Sequence, residues 1–358
     1  MLATDAHGGF GGIAQYNRDV IDALSGFAEV DEIVVLARVI ENPEFVVPAK
    51  TRYDYAASCS AAHFVGRSLA HSVTRPRHDL VFCAHINLMP VAAAVSRIQG
   101  APLVLSVHGT DGWRPPAKRL TAASVQIADL ILSVSQFTLD RMQSWMPTPH
   151  GATIVVPNAV RLERFGPGEK DPELVARYGL AGRRVIMTLG RMAADERAKG
   201  FDEVIALMPR LRRRFPDLAY LCAGDGSDRP RLEAKARELG VADCVVFSGR
   251  IPEQRKADHF RLADAYVMPS RREGFGIVVI EALASGVPVV VSAADGTREA
   301  VQDGKLGAFV DPDDPNALER AIVDVLQERR RAPPGVDYYA FEKFEARLRN
   351  ALSRVVPL

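Results

Sequence analysis

Short apolar runs alternate with helix-length segments along most of the 358-residue chain. In its first half the apolar runs fall at 33–36, 80–83, 103–107, 130–134 and 153–156. Segments with apolar residues at helical spacing occur at 13–27, 61–73, 88–98, 117–127 and 136–145. Strands that are apolar on both faces and alternate with helices are typical of a parallel sheet covered on both sides. We therefore predict a doubly wound α/β domain.

The same alternation restarts after a turn-rich stretch, Pro157 to Pro172. Its prolines, glycines and charged residues are typical of a linker between domains. Beyond it we predict strands at 185–189, 219–223, 244–247, 265–268, 287–291 and 307–310, and helices at 201–215, 231–239, 253–262, 277–284 and 316–327. The expected organisation is an N-terminal Rossmann-like domain over 1–160, a second one over 161–336, and a C-terminal helix within 337–358.

Composition narrows the class of protein. A net charge of +1 argues against a general nucleic-acid binder. The sequence contains neither an apolar run of membrane-spanning length nor a signal-peptide pattern, so we expect a soluble, cytoplasmic protein. Its four cysteines are far apart, which favours reduced thiols over disulfides or a zinc site. The apolar opening, residues 1–4, is short for a first strand, and we expect that strand to be truncated or abbreviated.

A glycine-rich loop follows this opening, from Gly8 to Gly12. A strand, a glycine loop and a helix together form an arrangement that binds anions through backbone amides. The spacing matches neither GxGxxG nor GxxxxGK[ST]. Gly11 and Gly12 are therefore candidates for contact with a phosphate group, and a tight turn without a ligand is the alternative.

Two glutamates frame a short apolar helix in the last third of the chain. Glu273 precedes this helix, and Glu281 lies about two turns later, so both can face the same side. Between them, Gly274-Phe275-Gly276-Ile277 offers unpaired backbone amides. A carboxylate beside such amides suits sugar hydroxyls better than phosphate. The alternative is a loop charge at Glu273 and a solvated helix residue at Glu281, although a carboxylate in an apolar run requires partners.

Basic residues follow the first strand of the second half. Arg191 lies at the strand end, and Lys199 lies just before the next helix. Such a pair can bind a diphosphate, and a solvated basic loop is the alternative. Gly226 follows the next strand, where a small residue allows a ligand to approach the backbone, and an ordinary strand-to-helix turn is again the alternative.

The segment EGFGIVVIEALASGVPVVVS resembles the Glu-x7-Glu segment of retaining nucleotide-sugar glycosyltransferases of family 4, which have the GT-B fold. Gly190-Arg191 and Lys199-Gly200 are similar to the basic segment of that family. The resemblance implies two Rossmann-like domains that face a cleft, with the C-terminal helix packed back on the first domain. It also implies transfer of a hexosyl unit from a UDP- or GDP-sugar to a glycan or lipid-linked saccharide, in bacterial polysaccharide or glycolipid synthesis.

The resemblance implies four catalytic residues: Glu273, Arg191, Lys199 and His108. Arg191 and Lys199 would stabilise the departing diphosphate, and Glu273 would hold the sugar hydroxyls. His108, just past a first-half strand, would contact the donor sugar, although a lone histidine can also be structural. The other expected contacts with the donor are Gly11, Gly12, Gly226, the backbone at Arg250 and Ile251, Gly274, Phe275, Gly276, Ile277 and Glu281.

Residues for the acceptor are harder to identify. Asp111, His7 and Asn87 lie at predicted strand ends of the first half and are candidates for binding acceptor hydroxyls. The stretch Trp113 to Arg119 pairs an aromatic ring with cations, which is compatible with peripheral contact with the inner face of a membrane.

No metal or other cofactor is expected. Asp311-Pro312-Asp313 resembles a metal-binding D-x-D pattern, but its proline and the following Asp314-Pro315 favour a turn before a helix. Two alternatives to the transferase stay open: a catalytically silent nucleotide-sugar-binding partner and a nucleotide-sugar epimerase of the same fold.

Overall fold

The computed structural model describes residues 1–74, 77–146, 151–194, 197–327 and 332–358. It divides into two compact units. Unit 1 comprises Met1–Ala159 and Phe341–Leu358, and unit 2 comprises Val160–Ala340. The expected boundaries lay after residues 160 and 336. Residues 337–340 belong to unit 2 because Tyr339 accepts a hydrogen bond from the amide of Val160 and donates one to the carbonyl of Glu299.

Unit 1 is built on a parallel sheet. Among the described residues its strands are β1 (Leu2–Ala3), β2 (Ile33–Ala37), β3 (Thr51–Tyr53), β4 (Val81–Cys83), β5 (Leu103–Val107), β6 (Leu130–Ser133) and β7 (Ala152–Val155), in the order β3-β2-β1-β4-β5-β6-β7. The helices are α1 (Gly12–Gly26), α2 (Ala61–Thr74), α3 (Met89–Gln99), α4 (Arg119–Val125) and α5 (Gln136–Gln143), with short 3-10 turns at Tyr55–Cys59 and Ile86–Leu88.

Strand β1 is short but central. It pairs in parallel with both β2 and β4, at Leu2–Leu36 and Leu2–Cys83. Every residue of β5 is buried, as expected for a strand whose two faces are both covered by helices. The carboxyl ends of β1, β4 and β5 therefore meet at one edge of the sheet, where the loops with His7, His85 and His108 begin.

Unit 2 repeats the architecture. Its described strands are β8 (Arg184–Leu189), β9 (Leu218–Ala223), β10 (Val245–Gly249), β11 (Ala265–Met268), β12 (Val289–Ser292) and β13 (Ala308–Val310), all parallel, in the order β10-β9-β8-β11-β12-β13. The helices are α6 (Pro172–Arg177), α7 (Phe201–Arg214), α8 (Arg229–Glu238), α9 (Lys256–Leu262), α10 (Ile277–Ala284), α11 (Thr297–Ala300) and α12 (Pro315–Val325), with 3-10 turns at Glu253–Arg255 and Val336–Tyr339.

The sequence pattern missed the short elements β3, α6 and α11. They contain three to six residues, too few to display a period. A local signal did exist for α6, which lies across the end of the predicted linker. Asp171 caps it by accepting from the amides of Glu173 and Leu174, and Pro172 occupies its first turn.

The C-terminal helix α13 (Phe341–Leu352) is shorter than the predicted tail helix and packs on α1 within unit 1. Its buried face carries Phe344, Leu348, Ala351 and Leu352. The Phe344 ring meets Tyr16 of α1 edge to face, with the ring centroids 5.5 Å apart. Apolar burial of this kind holds the end of the chain on unit 1.

Among the described residues, no helix combines the length and the apolar character needed to cross a membrane.

Replacing Phe344 by alanine tests the docking of α13. The side chain is fully buried, so Phe344→Ala should lower the free energy of unfolding by about 3 to 5 kcal/mol. Glu342→Ala, at an exposed position of the same helix, is the control and should change it little. Unfolding in denaturant measures both variants, and equal stabilities would contradict the packing described.

Candidate functional site

The loop before α10 requires glycine at its last position. Gly276 caps α10 with φ 90°, and a Cβ there would lie 2.9 Å from Cγ2 of Thr297. The positive φ and the close approach both exclude larger residues. Phe275 is buried and packs edge-on against Tyr339, with the ring centroids 5.5 Å apart. The backbone of Gly274 to Ile277 is thus held at the start of α10, at the position predicted for a sugar.

Glu273 and Lys199 are brought together by the fold. Lys199 Nζ forms an ion pair with Glu273 Oε1, and the two side chains are 27% and 16% exposed. Lys199 lies just before α7, whereas Glu273 follows β11, so neighbouring strands of the sheet carry the two loops. Two of the four residues predicted to be catalytic are therefore in contact.

Arg191 and Lys199 line the same depression in unit 2, together with Arg197, Asp202 and Asp228. The two carboxylates are paired with two cations: Arg231 donates to Asp202 and to Asp228, each at 2.8 Å, and Lys235 donates to Asp202 at 2.8 Å. These hydrogen bonds from Arg231 lower the pKa of Asp202 to about 2. Because the acidic groups are compensated in this way, they do little to repel an anion from the depression.

The glycines after β9 serve chain packing. A Cβ on Gly224 would lie 2.0 Å from the carbonyl oxygen of Gly190, and one on Gly226 would lie 2.1 Å from that of Met192. The structural alternative stated for Gly226 is thus supported, and its contact with a donor stays a prediction. Arg250 and Ile251 directly follow β10, and the backbone of this turn is joined to β9 by the Gly224 amide and the Gly249 carbonyl, 3.0 Å apart.

Glu281 has a partner that the sequence did not reveal. Lys256, the first residue of α9, places Nζ 2.7 Å from Glu281 Oε1 and 3.5 Å from Glu253. The Glu281 side chain is 4% exposed, and its Oε2 accepts no hydrogen bond from the described residues. A buried acceptor without a donor is costly, and a ligand hydroxyl would satisfy it.

The pKa values of Glu281 and Lys256 are both raised, for different reasons. Burial raises the pKa of the Glu281 carboxyl, against the opposing charge of Lys256. For Lys256, burial alone would lower the pKa, but the charges of Glu281 and Glu253 outweigh burial and raise that pKa. Burial therefore dominates at Glu281, whereas at Lys256 the two neighbouring carboxylates dominate.

Two further residues around Glu273 were also missed. Arg271 donates its backbone amide to the carbonyl of Ala198, 2.9 Å away, and its guanidinium to Glu203 and Asp313. It therefore ties the loop of Glu273 to the loop of Lys199. Asp295, after β12, accepts from the amide of Glu273 at 3.0 Å. Arg271 lies two residues from Glu273, but the partners of Arg271 are distant from it in sequence, and Asp295 is 22 residues from Glu273, so no local period could identify these contacts.

The segment from Asp311 to Asp314 forms the predicted turn. Asp311 accepts from the Asp313 amide at 2.9 Å, Asp313 pairs with Arg271, and Asp314 caps α12. Over the described parts of the chain, no group of three or more His, Cys, Asp or Glu residues is arranged to hold a metal ion.

His108 and Asp111 lie together at the sheet edge of unit 1. His108 Nε2 is 2.9 Å from the carbonyl oxygen of Ala84, which can only accept, so Nε2 donates this hydrogen bond, and Nδ1 is an acceptor when the ring carries one proton. Asp111 Oδ1 accepts from the His108 amide at 3.0 Å. Within the described ranges, His108 Nδ1 and Asp111 Oδ2 have no hydrogen-bond partner, and both are acceptors suited to hydroxyl groups.

The other predicted residues of unit 1 differ in exposure. Asn87 is exposed and donates its amide to His85 Nδ1, and burial lowers the pKa of His85. His7 instead packs into an aromatic cluster, with Nδ1 2.8 Å from the Tyr53 hydroxyl and its ring stacked on Phe45. These contacts account for His7 without a ligand, so its acceptor role stays a prediction with an alternative structural explanation.

Gly11 and Trp113 also have clear structural surroundings. Gly11 caps α1 with φ 96° and no side-chain hydrogen bond, so the first amides of α1, from Gly12 on, have no side-chain cap. Trp113 donates to Thr138, and the Arg141 guanidinium lies 5.0 Å from the centre of its ring. Trp113 therefore packs within unit 1, and contact of its stretch with a membrane stays a prediction.

Comparison with known proteins agrees with this architecture. Residues 10–164 match the family model described as Glycosyltransferase Family 4, and residues 173–339 match the one described as Glycosyl transferases group 1. Among solved structures, sucrose-phosphate synthase from Thermosynechococcus elongatus is similar with a TM-score of 0.77 and 21% identity, covering 99% of this chain and 98% of that one. The structure of Anabaena HepE in complex with UDP-glucose is similar with a TM-score of 0.73 and 20% identity, and the match covers 99% of each chain. The predicted GT-B fold is thereby confirmed.

Two curated relatives are similar in sequence. A GDP-mannose-dependent alpha-(1-6)-phosphatidylinositol monomannoside mannosyltransferase of Mycolicibacterium smegmatis is 38% identical over 294 residues, which cover 76% of this chain and 75% of the relative. A D-inositol 3-phosphate glycosyltransferase of Geodermatophilus obscurus is 37% identical over 266 residues, covering 71% of this chain and 57% of the relative. The chain belongs to the family 4, or group 1, glycosyltransferases.

Removing the ammonium group of Lys256 should destabilise the protein. Lys256→Met leaves the Glu281 carboxylate buried and unpaired, which should cost roughly 3 to 5 kcal/mol in the free energy of unfolding. The deficit should be largest above the raised pKa of Glu281 and should shrink as pH falls through it, because protonation removes the buried charge. Unfolding in denaturant at several pH values measures this.

The matched control is Lys305→Met, at an exposed position. The double variant Lys256→Met/Glu281→Met should recover most of the loss, since it removes both charges. A double variant that is as unstable as Lys256→Met alone would contradict the pairing.

Proposed function

We propose that the protein transfers a hexosyl unit from a nucleoside-diphosphate sugar to a glycan or lipid-linked saccharide, as in polysaccharide or glycolipid synthesis. The observation that carries the proposal is the Lys199–Glu273 pair beside the amides of Phe275 and Gly276. GDP-mannose is the first donor to test and an inositol-containing glycolipid the first acceptor, because the Mycolicibacterium smegmatis relative is named for both. The proposed setting is cytoplasmic, at most with peripheral contact with the inner membrane face.

The pair suggests how the donor is accommodated. Without a donor, Lys199 neutralises Glu273. With a donor, the diphosphate takes Lys199 and Arg191 as partners, and the carboxylate of Glu273 is released to accept from sugar hydroxyls. Negative charge develops on the diphosphate as the glycosidic bond breaks, and the two cations stabilise it. The free oxygen of Glu281 would accept from a ribose hydroxyl.

We also propose that configuration is retained and that no metal is required. Retention rests on the resemblance to retaining enzymes, by attack on the face from which the diphosphate leaves. Metal independence rests on charge, because Arg191 and Lys199 offer the cations that a divalent ion would otherwise provide. In this scheme the leaving phosphate oxygen takes the proton of the acceptor hydroxyl. Asp111 and His108 in unit 1 are proposed to bind hydroxyl groups through their free acceptor atoms.

Binding of nucleoside diphosphates tests the proposal first. Thermal unfolding is followed with GDP, UDP, ADP, dTDP and CDP, in the presence of EDTA. A diphosphate at a hundred times its Kd should add about 2.7 kcal/mol of stability. Transfer from GDP-mannose or the matching sugar nucleotide is then assayed, and the anomeric configuration of the product is read by NMR. A shift without transfer to any acceptor would favour the silent binding partner, and no shift at all would contradict the proposal.

Substitutions at the ion pair test the two assigned roles. Glu273→Gln and Lys199→Met should each reduce the turnover number by roughly 10² to 10³, the usual cost of one lost transition-state contact. Glu238→Gln and Lys305→Met are matched controls at exposed positions and should keep nearly full activity. Steady-state kinetics measures all four, and near-normal turnover in either site variant would remove that residue from the mechanism.

A further inference from the structure

Asp295 is a buried carboxylate that accepts four hydrogen bonds. Its Oδ2 accepts from the Ser270 hydroxyl at 2.7 Å and from the Glu273 amide at 3.0 Å. Its Oδ1 accepts from the amide and the hydroxyl of Thr297, at 3.1 Å and 2.7 Å. The residue is 1% exposed, and Ser270 and Thr297 are fully buried. The carboxylate therefore joins both ends of the segment 270–273 to Thr297, the first residue of α11.

The residues after Asp295 support the same loop. The Gly296 amide donates to the carbonyl of Glu273 at 2.9 Å. A Cβ on Gly296 would lie 1.9 Å from the carbonyl oxygen of Gly274, so the two backbones are in direct contact. Thr297 packs under Gly276, the cap of α10. The amide and the carbonyl of Glu273 are thus both held by residues 295 and 296.

We propose that Asp295 is a positioning residue that holds Glu273 where its carboxylate meets the donor sugar. This inference rests on the proposed function, since it assigns Asp295 a role in catalysis through Glu273. Asp295 itself needs no contact with the substrate. Asp295 would lie one layer below the sugar. There it determines the backbone position of Glu273, the residue that would bind the sugar.

An aspartate suits this position better than an amide. Two of its four donors are backbone N–H groups, of Glu273 and Thr297, one on each carboxylate oxygen. An asparagine would turn its NH2 group toward one of them and bring two donors together. The volume of the side chain would stay the same. Asp295→Asn therefore changes the hydrogen bonds of the loop without opening a cavity.

Asp295→Asn should separate catalysis from nucleotide binding. With GDP-mannose as donor, the turnover number should fall roughly ten- to a hundredfold, as a small displacement of a contacting group does. The Kd for GDP should stay within about twofold, because the diphosphate contacts Arg191 and Lys199 and not Glu273. An unchanged turnover number, or an equal loss in GDP binding, would overturn the proposal.

A double-mutant cycle identifies the route of the effect. If Asp295 acts through Glu273, the turnover number of Asp295→Asn/Glu273→Gln should be within about twofold of that of Glu273→Gln alone. Multiplication of the two single losses would show that Asp295 acts independently of Glu273, and the proposal would be wrong. If Glu273→Gln alone has no effect, the proposed function fails instead.

Two further variants control for stability. Asp54→Asn changes a buried carboxylate of unit 1 that accepts from Arg67 and His71, and it should lower the unfolding temperature without the selective loss of turnover. Ser270→Ala removes one donor to Asp295 and should slow turnover severalfold even if Asp295→Asn folds poorly.

Hydrogen exchange of the Glu273 amide gives a readout that needs no substrate. It should be faster in Asp295→Asn and Ser270→Ala and unchanged in Asp54→Asn, and normal exchange in the first two variants would overturn the proposal.

Discussion

A carboxylate that is removed from water needs cations or hydrogen-bond donors to compensate its charge. The candidate site of unit 2 depends on how three such carboxylates are compensated. Glu273 is paired with Lys199, Glu281 with Lys256, and Asp295 with hydroxyl and amide donors from Ser270, Thr297 and Glu273. An unpaired buried charge costs several kcal/mol, so the partners constrain how the loops after β8, β11 and β12 approach one another. The parallel sheet presents the carboxyl ends of these strands at a single edge, which is where such partners can meet.

The compensation is incomplete where a ligand is expected. Glu281 keeps one oxygen without a donor among the described residues, and in unit 1 His108 and Asp111 each keep a buried acceptor atom. Folding has thus removed these atoms from water without replacing the lost hydrogen bonds, which lowers stability. Sites that bind polyhydroxylated molecules commonly retain such acceptors, because the substrate offers hydroxyl donors in return. The same atoms that weaken the unliganded protein can therefore contribute to recognition.

Membership of the family 4 glycosyltransferases agrees with this chemistry. Cations beside a short helix start, next to a carboxylate, suit a molecule that combines a diphosphate with a sugar. The sheet edge of unit 1 differs, since the atoms that His108 and Asp111 leave without a partner in the described part of the chain are acceptors and suit neutral hydroxyl groups. Asp295 and Arg271 lie outside any expected motif, yet they hold the loop of Glu273 from two sides. Differences between relatives in such supporting residues would alter the geometry of the site without changing the groups that touch the substrate.

The sequence alone determined the two α/β units, most strands and helices, and the identity of Glu273, Glu281, Arg191 and Lys199 as candidates, because hydrophobic periodicity and short motifs are local properties of the chain. Only the tertiary structure decided the partners. Lys256 is 25 residues from Glu281, and Asp295 is 22 residues from Glu273, with strands and turns between them. Neither distance corresponds to a helical or strand period, so no pattern along the chain connects these residues. They meet because parallel strands bring sequence-distant loops to the same sheet edge, and the hydrogen-bond requirement of a buried carboxylate then selects which side chains pair.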